Sequence, residues 1–254
     1  MSTAIIYGAI GIIALLSFFK LMHGGADENS FFVLLDRFTA GRILNWAIIL
    51  GAVCFIVWRL YEAFTDPYHT GHHIKAILLR TGGAFSSGAD AFIAISVLQA
   101  LFNRHKAPVT GDPIQQRSFV NELFQSHWGH ILVIIIGVIG LLTAAVLILY
   151  GLSARFMEKL RADDFSKGTK HVLRIIAYAG YLSRGVIVGI IGFFFIKAAI
   201  KDNSTYVVNT DKAFDFIGDH VGHLWFILIS IGTICYGVYM FILALHYDVR
   251  SGKR

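Results

Sequence analysis

Two His-x-Gly-His units stand at matching places in the chain, His127-Trp128-Gly129-His130 and His220-Val221-Gly222-His223, each at the mouth of a long apolar run. Histidines at i and i+3 on a helical turn share a face, so the two units offer four imidazoles (His127, His130, His220 and His223) as a donor set for Zn²⁺ or Cu²⁺. The same residue types also suit two other tasks. Imidazoles at helix starts hydrogen-bond loop carbonyls or lipid headgroups, and imidazoles that titrate near neutral pH can form a proton-responsive gate. A third copy, His69-Thr70-Gly71-His72 followed by His73, falls in a loop. Arg42 follows Gly41 as His130 follows Gly129 and His223 follows Gly222. Arg42, His130 and His223 are therefore expected to form a ring near one membrane face, and the fixed charge of Arg42 opposes a metal there.

The second group able to do chemistry is charged and intramembrane. Asp90 lies about two turns into one apolar run and Arg184 at a comparable depth in another. A charge placed in lipid is costly, so such residues pair with each other or mark an ion path. A direct Asp90–Arg184 pair is expected, serving as a structural pair or as part of a proton or ion pathway.

These residues are positioned by apolar helices. The chain is 56% hydrophobic and only 15% charged, with three prolines and 25 glycines, and its mean hydropathy is +0.65. That composition makes lipid the main solvent, with small residues allowing close helix approach. Apolar runs at 4–22, 41–64, 83–103, 129–151, 176–198 and 222–245 are each long enough to cross a hydrocarbon core of about 30 Å at about 1.5 Å per residue. The first run lacks a basic leader and an Ala-x-Ala-like cleavage site and is read as a mature span.

The runs form a repeat. Gly41-Arg42, Gly129-His130 and Gly222-His223 open runs that close on Ala63, Gly151 and Ala244, with spacings of 88 and then 93 residues. The partner helices align through Tyr7-Gly8, Ser87-Gly88 and Arg184-Gly185. Short apolar-periodic stretches at 31–38, 119–124 and 213–217 precede the second helices and are expected to lie amphipathically along the membrane surface. The predicted fold is an all-α, polytopic membrane protein, a single transmembrane domain over 1–254 with repeats at about 1–66, 75–161 and 172–250. Two spans per repeat give parallel repeats about an axis along the membrane normal, hence six helices in a pseudo-threefold bundle.

Loop charge sets the orientation. The 65–82 and 152–175 loops and the tail after 245 carry eleven Lys/Arg against six in the opposite loops. Both termini are therefore expected in the cytoplasm, and the net charge of +6 reads as topology rather than as nucleic-acid binding. Cys54 and Cys235 fall mid-span at the same repeat position and suggest no disulfide.

The run Trp58-Arg59-Leu60-Tyr61-Glu62-Ala63-Phe64-Thr65-Asp66-Pro67 is similar to a stretch ending the first repeat of a bacterial membrane family catalogued as domain of unknown function 1206. The resemblance continues through Arg80 with Ser87-Gly88, Gly151-Leu152 with Arg155-Phe156, Tyr178-Ala179 with Ser183-Arg184-Gly185, and Tyr236-Gly237-Val238-Tyr239. It implies three tandem two-helix units in a bacterial inner membrane and brings no activity or ligand. His130 stands where the family pattern has an arginine.

No G-x-x-x-x-G-K-[ST], H-E-x-x-H, C-x-x-C-H or G-x-S-x-G pattern occurs, which weighs against an enzyme, and no particular cofactor is implied. Three functions fit the residues. The first is permeation or transport of a small ion or solute, with Asp90 and Arg184 at the inner half and the Arg42, His130, His223 ring at the outer mouth. The second is a non-catalytic partner subunit or assembly factor of a membrane complex, and the third a histidine-based metal or redox membrane protein. The expected surroundings are the lipid bilayer and, for the second function, a membrane-protein partner.

Overall fold

The computed structural model describes residues 2–19, 112–153 and 166–246, with positions 39, 41–43, 46, 50, 53, 57 and 61. All regular structure among them is helical. The chain divides into two compact units, Met1–Phe31 with Pro108–Arg254, and Phe32–Ala107.

In the first unit α1 is Ser2–Phe18, α2 Ile114–Phe124, α3 Gly129–Ser153, α4 Lys167–Ile200, α5 Thr210–Phe216 and α6 His223–Leu245. A 3₁₀ turn at Ser204–Tyr206 and a π turn at Ile217–Val221 link α4 to α5 and α5 to α6. Helices α3, α4 and α6 are long and apolar enough to cross a membrane, and α1 supplies a shorter apolar helix over Ala4–Phe18. They fall on the expected runs at 129–151, 176–198, 222–245 and 4–22. Helix α4 begins nine residues before its expected start. The Ser166 side chain accepts the Thr169 N–H at 3.2 Å and caps it there, and the added turns carry Lys167, Lys170, His171 and Arg174. The 41–64 run is represented by its described positions, all helical, and the run at 83–103 lies outside the described residues.

The expected surface stretch at 119–124 is the second half of α2, and the one at 213–217 lies in α5 and the π turn. Helix α2 buries Val120 against Val133, Ala198, Ala199 and Val207, while Arg117 Nε donates to the Val207 carbonyl at 3.2 Å. The stretch at 31–38 lies outside the described residues.

Helix α3 runs along α4, α4 along α6, and α6 along α1. Contact partners descend along one helix as they ascend along the other: Gly137 lies beside Gly192, Ala144 beside Gly185 and Gly151 beside Tyr181. Adjacent helices are therefore antiparallel, so α1 is parallel to α4 and α3 to α6. Lipid tails compete for apolar surface as well as leucine does, so close backbone approach at small residues replaces hydrophobic burial as the source of association.

The seams between these helices repeat. A Cβ on Gly11 would lie 2.8 Å from Ile234 N and 2.9 Å from the Ser230 carbonyl oxygen. A Cβ on Gly192 would lie 2.9 Å from Leu141 N and 2.8 Å from the Gly137 carbonyl oxygen. Ser230 and Ile234 stand in α6 where Gly137 and Leu141 stand in α3, at the offset that relates Gly222 to Gly129. Likewise Gly237 meets Gly8 and Ala4, and Ala144 meets Gly185 and Gly189. The α6–α1 seam thus matches the α3–α4 seam with Gly8 equivalent to Gly189 and Gly11 to Gly192. This register differs by one helical turn from the alignment of Tyr7-Gly8 with Arg184-Gly185, because backbone contact selects small residues and leaves the larger neighbours free to differ.

In the second unit, Ile43, Trp46, Leu50, Val53, Val57 and Tyr61 are helical and exposed. Their spacing of three and four residues places them on one face, an apolar stripe with Trp46 and Tyr61 toward its ends.

Candidate functional site

Five tyrosines and one arginine gather where α1, α3, α4 and α6 meet. Tyr7 comes from α1, Tyr150 from α3, Tyr181 and Arg184 from α4, and Tyr236 and Tyr239 from α6. Glycine makes the room. A Cβ on Gly180 would lie 2.6 Å from Tyr236 Cα, and one on Gly151 would lie 2.9 Å from Tyr181 Cβ. The rings meet edge to face: Tyr7–Tyr236 at 5.3 Å and 73°, Tyr181–Tyr236 at 5.5 Å and 82°, and Tyr150–Tyr181 at 5.1 Å and 78°. Such pairs set the positive edge of one ring against the negative face of another. Tyr181, Tyr236 and Tyr239 are buried, and the Tyr181 and Tyr239 side chains are hydrogen-bonded to each other.

Arg184 sits midway along α4. Its Nη2 donates to the Tyr7 hydroxyl, and its Cζ lies 4.2 Å from the centroid of the Tyr7 ring. The ring quadrupole and the hydroxyl both favour the cation. Nη1 is buried and makes no hydrogen bond among the described residues. Helices α1, α3, α4 and α6 contain no Asp or Glu, so among them Arg184 has no carboxylate counterion. Asp90, its expected partner, lies outside the described residues.

At the opposite end of these helices the histidines have separate neighbours. His130 Nε2 is 2.8 Å from Asp202 Oδ1, and its ring stacks on Phe124 at 4.6 Å and 13°. Asp202 takes a left-handed conformation, φ 47°, just past the end of α4. His223 stands edge-on to Phe18 at 5.5 Å, His220 stacks on Phe216 at 4.7 Å, and His127 stands edge-on to Trp128 at 5.5 Å. Among the described residues no group of three or more His, Cys, Asp or Glu side chains is placed to hold a metal ion. Arg42 is an exposed helical residue of the second unit, and His69, His72 and His73 lie outside the described residues.

The anchor glycines beside these histidines have different causes. A Cβ on Gly129 would overlap the Leu123 carbonyl, because α2 turns into α3 across that atom. Gly222 has φ 117° and ψ 159° at the end of the π turn, a conformation restricted to glycine. Nearby, Lys212 lies 3.1 Å from Asp215 and 3.3 Å from Asp112. Partial burial, the largest influence, lowers the affinity of its ammonium for the proton. The Asp215 hydrogen bond with the charges of Asp215, Asp112 and Asp211 outweighs burial and holds Lys212 above its ordinary pKa.

Sequence reading singled out Arg184 as a charge in a span and used Tyr7, Tyr236 and Tyr239 only as alignment markers; it passed over Tyr150 and Tyr181. The available signal was depth. Membrane tyrosines gather at the interface, whereas Tyr181 and Tyr236 lie within apolar stretches of their helices.

Long apolar helices meshed at glycine and holding an internal arginine define a helical membrane protein. The chain belongs to the family described as Domain of Unknown Function (DUF1206), whose model matches residues 1–66 and 179–246. It is 23% identical over 235 residues to Uncharacterized protein YxxB of Bacillus subtilis (strain 168), covering 91% of this chain and 84% of that protein. No solved structure matches the chain.

Proposed function

We propose that this protein conducts or transports a small ion or solute across a bacterial inner membrane, and that Arg184 is the group the permeant meets inside the bilayer. The observation that carries this reading is a guanidinium placed mid-helix, with its buried Nη1 uncommitted and no carboxylate on the four apolar helices around it. An arginine kept only for helix association would be expected to satisfy its donors, since an unmade hydrogen bond from a buried charged group is costly. The architecture proposed with it is six spans in three tandem two-helix repeats about a pseudo-threefold axis, with both termini cytoplasmic. The matching α6–α1 and α3–α4 seams support that symmetry, as does the docking of the last apolar helix on the first. Asp90 is proposed as a second intramembrane charge, and Arg42, His130 and His223 as groups at the outer mouth of the route.

Ion and solute flux in proteoliposomes tests the proposal. Wild-type protein is expected to release entrapped ions faster than protein-free vesicles. Arg184→Met is expected to cut that flux about tenfold or more, the loss of a charge-assisted hydrogen bond of about 1.5–3 kcal/mol. Folded wild-type protein that leaves every vesicle as tight as a protein-free one contradicts transport, and the partner-subunit reading would then take its place.

A further inference from the structure

We infer that Arg184 and Tyr7 form a binding site for a small monovalent anion of chloride or nitrate size, an inference that rests on reading Arg184 as the group the permeant meets.

Three observations fix the sign of the ligand. The four apolar helices of the first unit carry no acidic residue, so no described carboxylate there attracts a cation or neutralises Arg184. Arg184 itself repels cations in a region of low dielectric, where charge acts strongly. The same helix brings Lys167, Lys170 and Arg174 to its first turns. Arg174 stands ten residues before Arg184, about 15 Å along the helix axis. A row of basic groups leading to a half-buried cation raises the local concentration of anions and lowers that of cations.

The geometry also specifies how the ligand is held. Tyr7 now offers Arg184 an oxygen acceptor through its hydroxyl and a negative surface through its ring face. These are the two features an anion supplies in stronger form. Nη1 is sealed from solvent, so the anion enters as the Tyr7 side chain moves off the guanidinium. The freed fork then donates to the anion through Nη1 and Nη2, with the Tyr7 hydroxyl no longer competing for the guanidinium. Edge-to-face contacts between Tyr7, Tyr236 and Tyr181 keep the wall formed by these described residues aromatic. The preferred ligand is therefore compact and singly charged. A multiply charged anion would leave charge uncompensated beside one guanidinium.

The test is thermal unfolding of the purified 254-residue chain in detergent as sodium gluconate is replaced by sodium chloride or nitrate at constant ionic strength, which holds screening fixed. Chloride or nitrate at about ten times its dissociation constant is expected to raise the wild-type Tm by roughly 3–6 °C. Arg184→Met is expected to abolish the rise. Tyr7→Phe removes the competing hydroxyl but keeps the ring and the charge, and its rise is expected at several-fold lower chloride. Tyr7→Phe keeps the test decisive if Arg184→Met fails to fold. A flat wild-type response overturns the anion site, as does an equal rise in wild type and Arg184→Met, or a Tyr7→Phe response identical to wild type. Binding without flux supports the site and contradicts permeation. Flux without an anion-dependent Tm contradicts the site and leaves permeation standing.

Discussion

Gly129→Ala is expected to open the corner between α2 and α3 and to cost about 3 kcal/mol or more, above the usual range for an added methyl group. The Cβ would fall inside the Leu123 carbonyl group, and the next nearest atom, Phe124 N at 3.1 Å, is also backbone. No rotamer change relieves a clash with main chain, so α2 must swing away and expose Val120, which is fully buried. Hydrogen exchange across 114–124 reads this directly: the variant should exchange faster there while the middle of α4 stays protected. Unchanged protection in α2 would show that the corner is looser than its geometry implies.

Gly237→Ala should be as damaging by a different route, because it wedges α6 from α1. Its Cβ would lie 2.5 Å from Gly8 N, 2.7 Å from Gly8 Cα and 2.8 Å from the Ala4 carbonyl oxygen, all of them main-chain atoms. Parting two helices in lipid removes dispersion contacts along the whole seam, so a loss of about 3 kcal/mol or more is expected in denaturant unfolding. Gly8→Ala supplies the control on the facing helix. A Cβ at Gly8 meets nothing within 4 Å, and alanine favours the helix by roughly 1 kcal/mol over glycine. That substitution should be neutral or stabilising. Equal losses for both variants would contradict the seam described between α1 and α6.

The residues that were readable in sequence are those whose property is local. The apolar runs at 129–151, 176–198 and 222–245 announce α3, α4 and α6 through length and hydropathy alone, and Arg184 stands out as a charge among them. The early start of α4 was missed because Ser166 caps a basic, polar turn that lies outside the apolar run. The tyrosine cluster was missed for a deeper reason. Which face of a helix meets its neighbour depends on register between helices, and Tyr181 with Tyr236 come together only because Gly180 lets their backbones close. Register also explains the one-turn difference at α1. Matching Tyr7-Gly8 to Arg184-Gly185 follows residue order, whereas the seams follow Gly11 and Gly192, the equivalent positions where backbone contact leaves no room for a Cβ. The His-x-Gly-His units were legible as a pattern, yet their described histidines separate onto Phe124 with Asp202, Phe18, Phe216 and Trp128.

Bromide, a chloride-sized anion visible by anomalous diffraction, tests the role of Arg184 most directly. Crystals of the 254-residue chain grown in bromide should show an anomalous peak within hydrogen-bonding reach of the Arg184 guanidinium, with the Tyr7 side chain displaced from its place over that group. Peaks confined to exposed lysines and arginines, with Nη2 still bonded only to Tyr7, would contradict an ion site where α1, α4 and α6 meet.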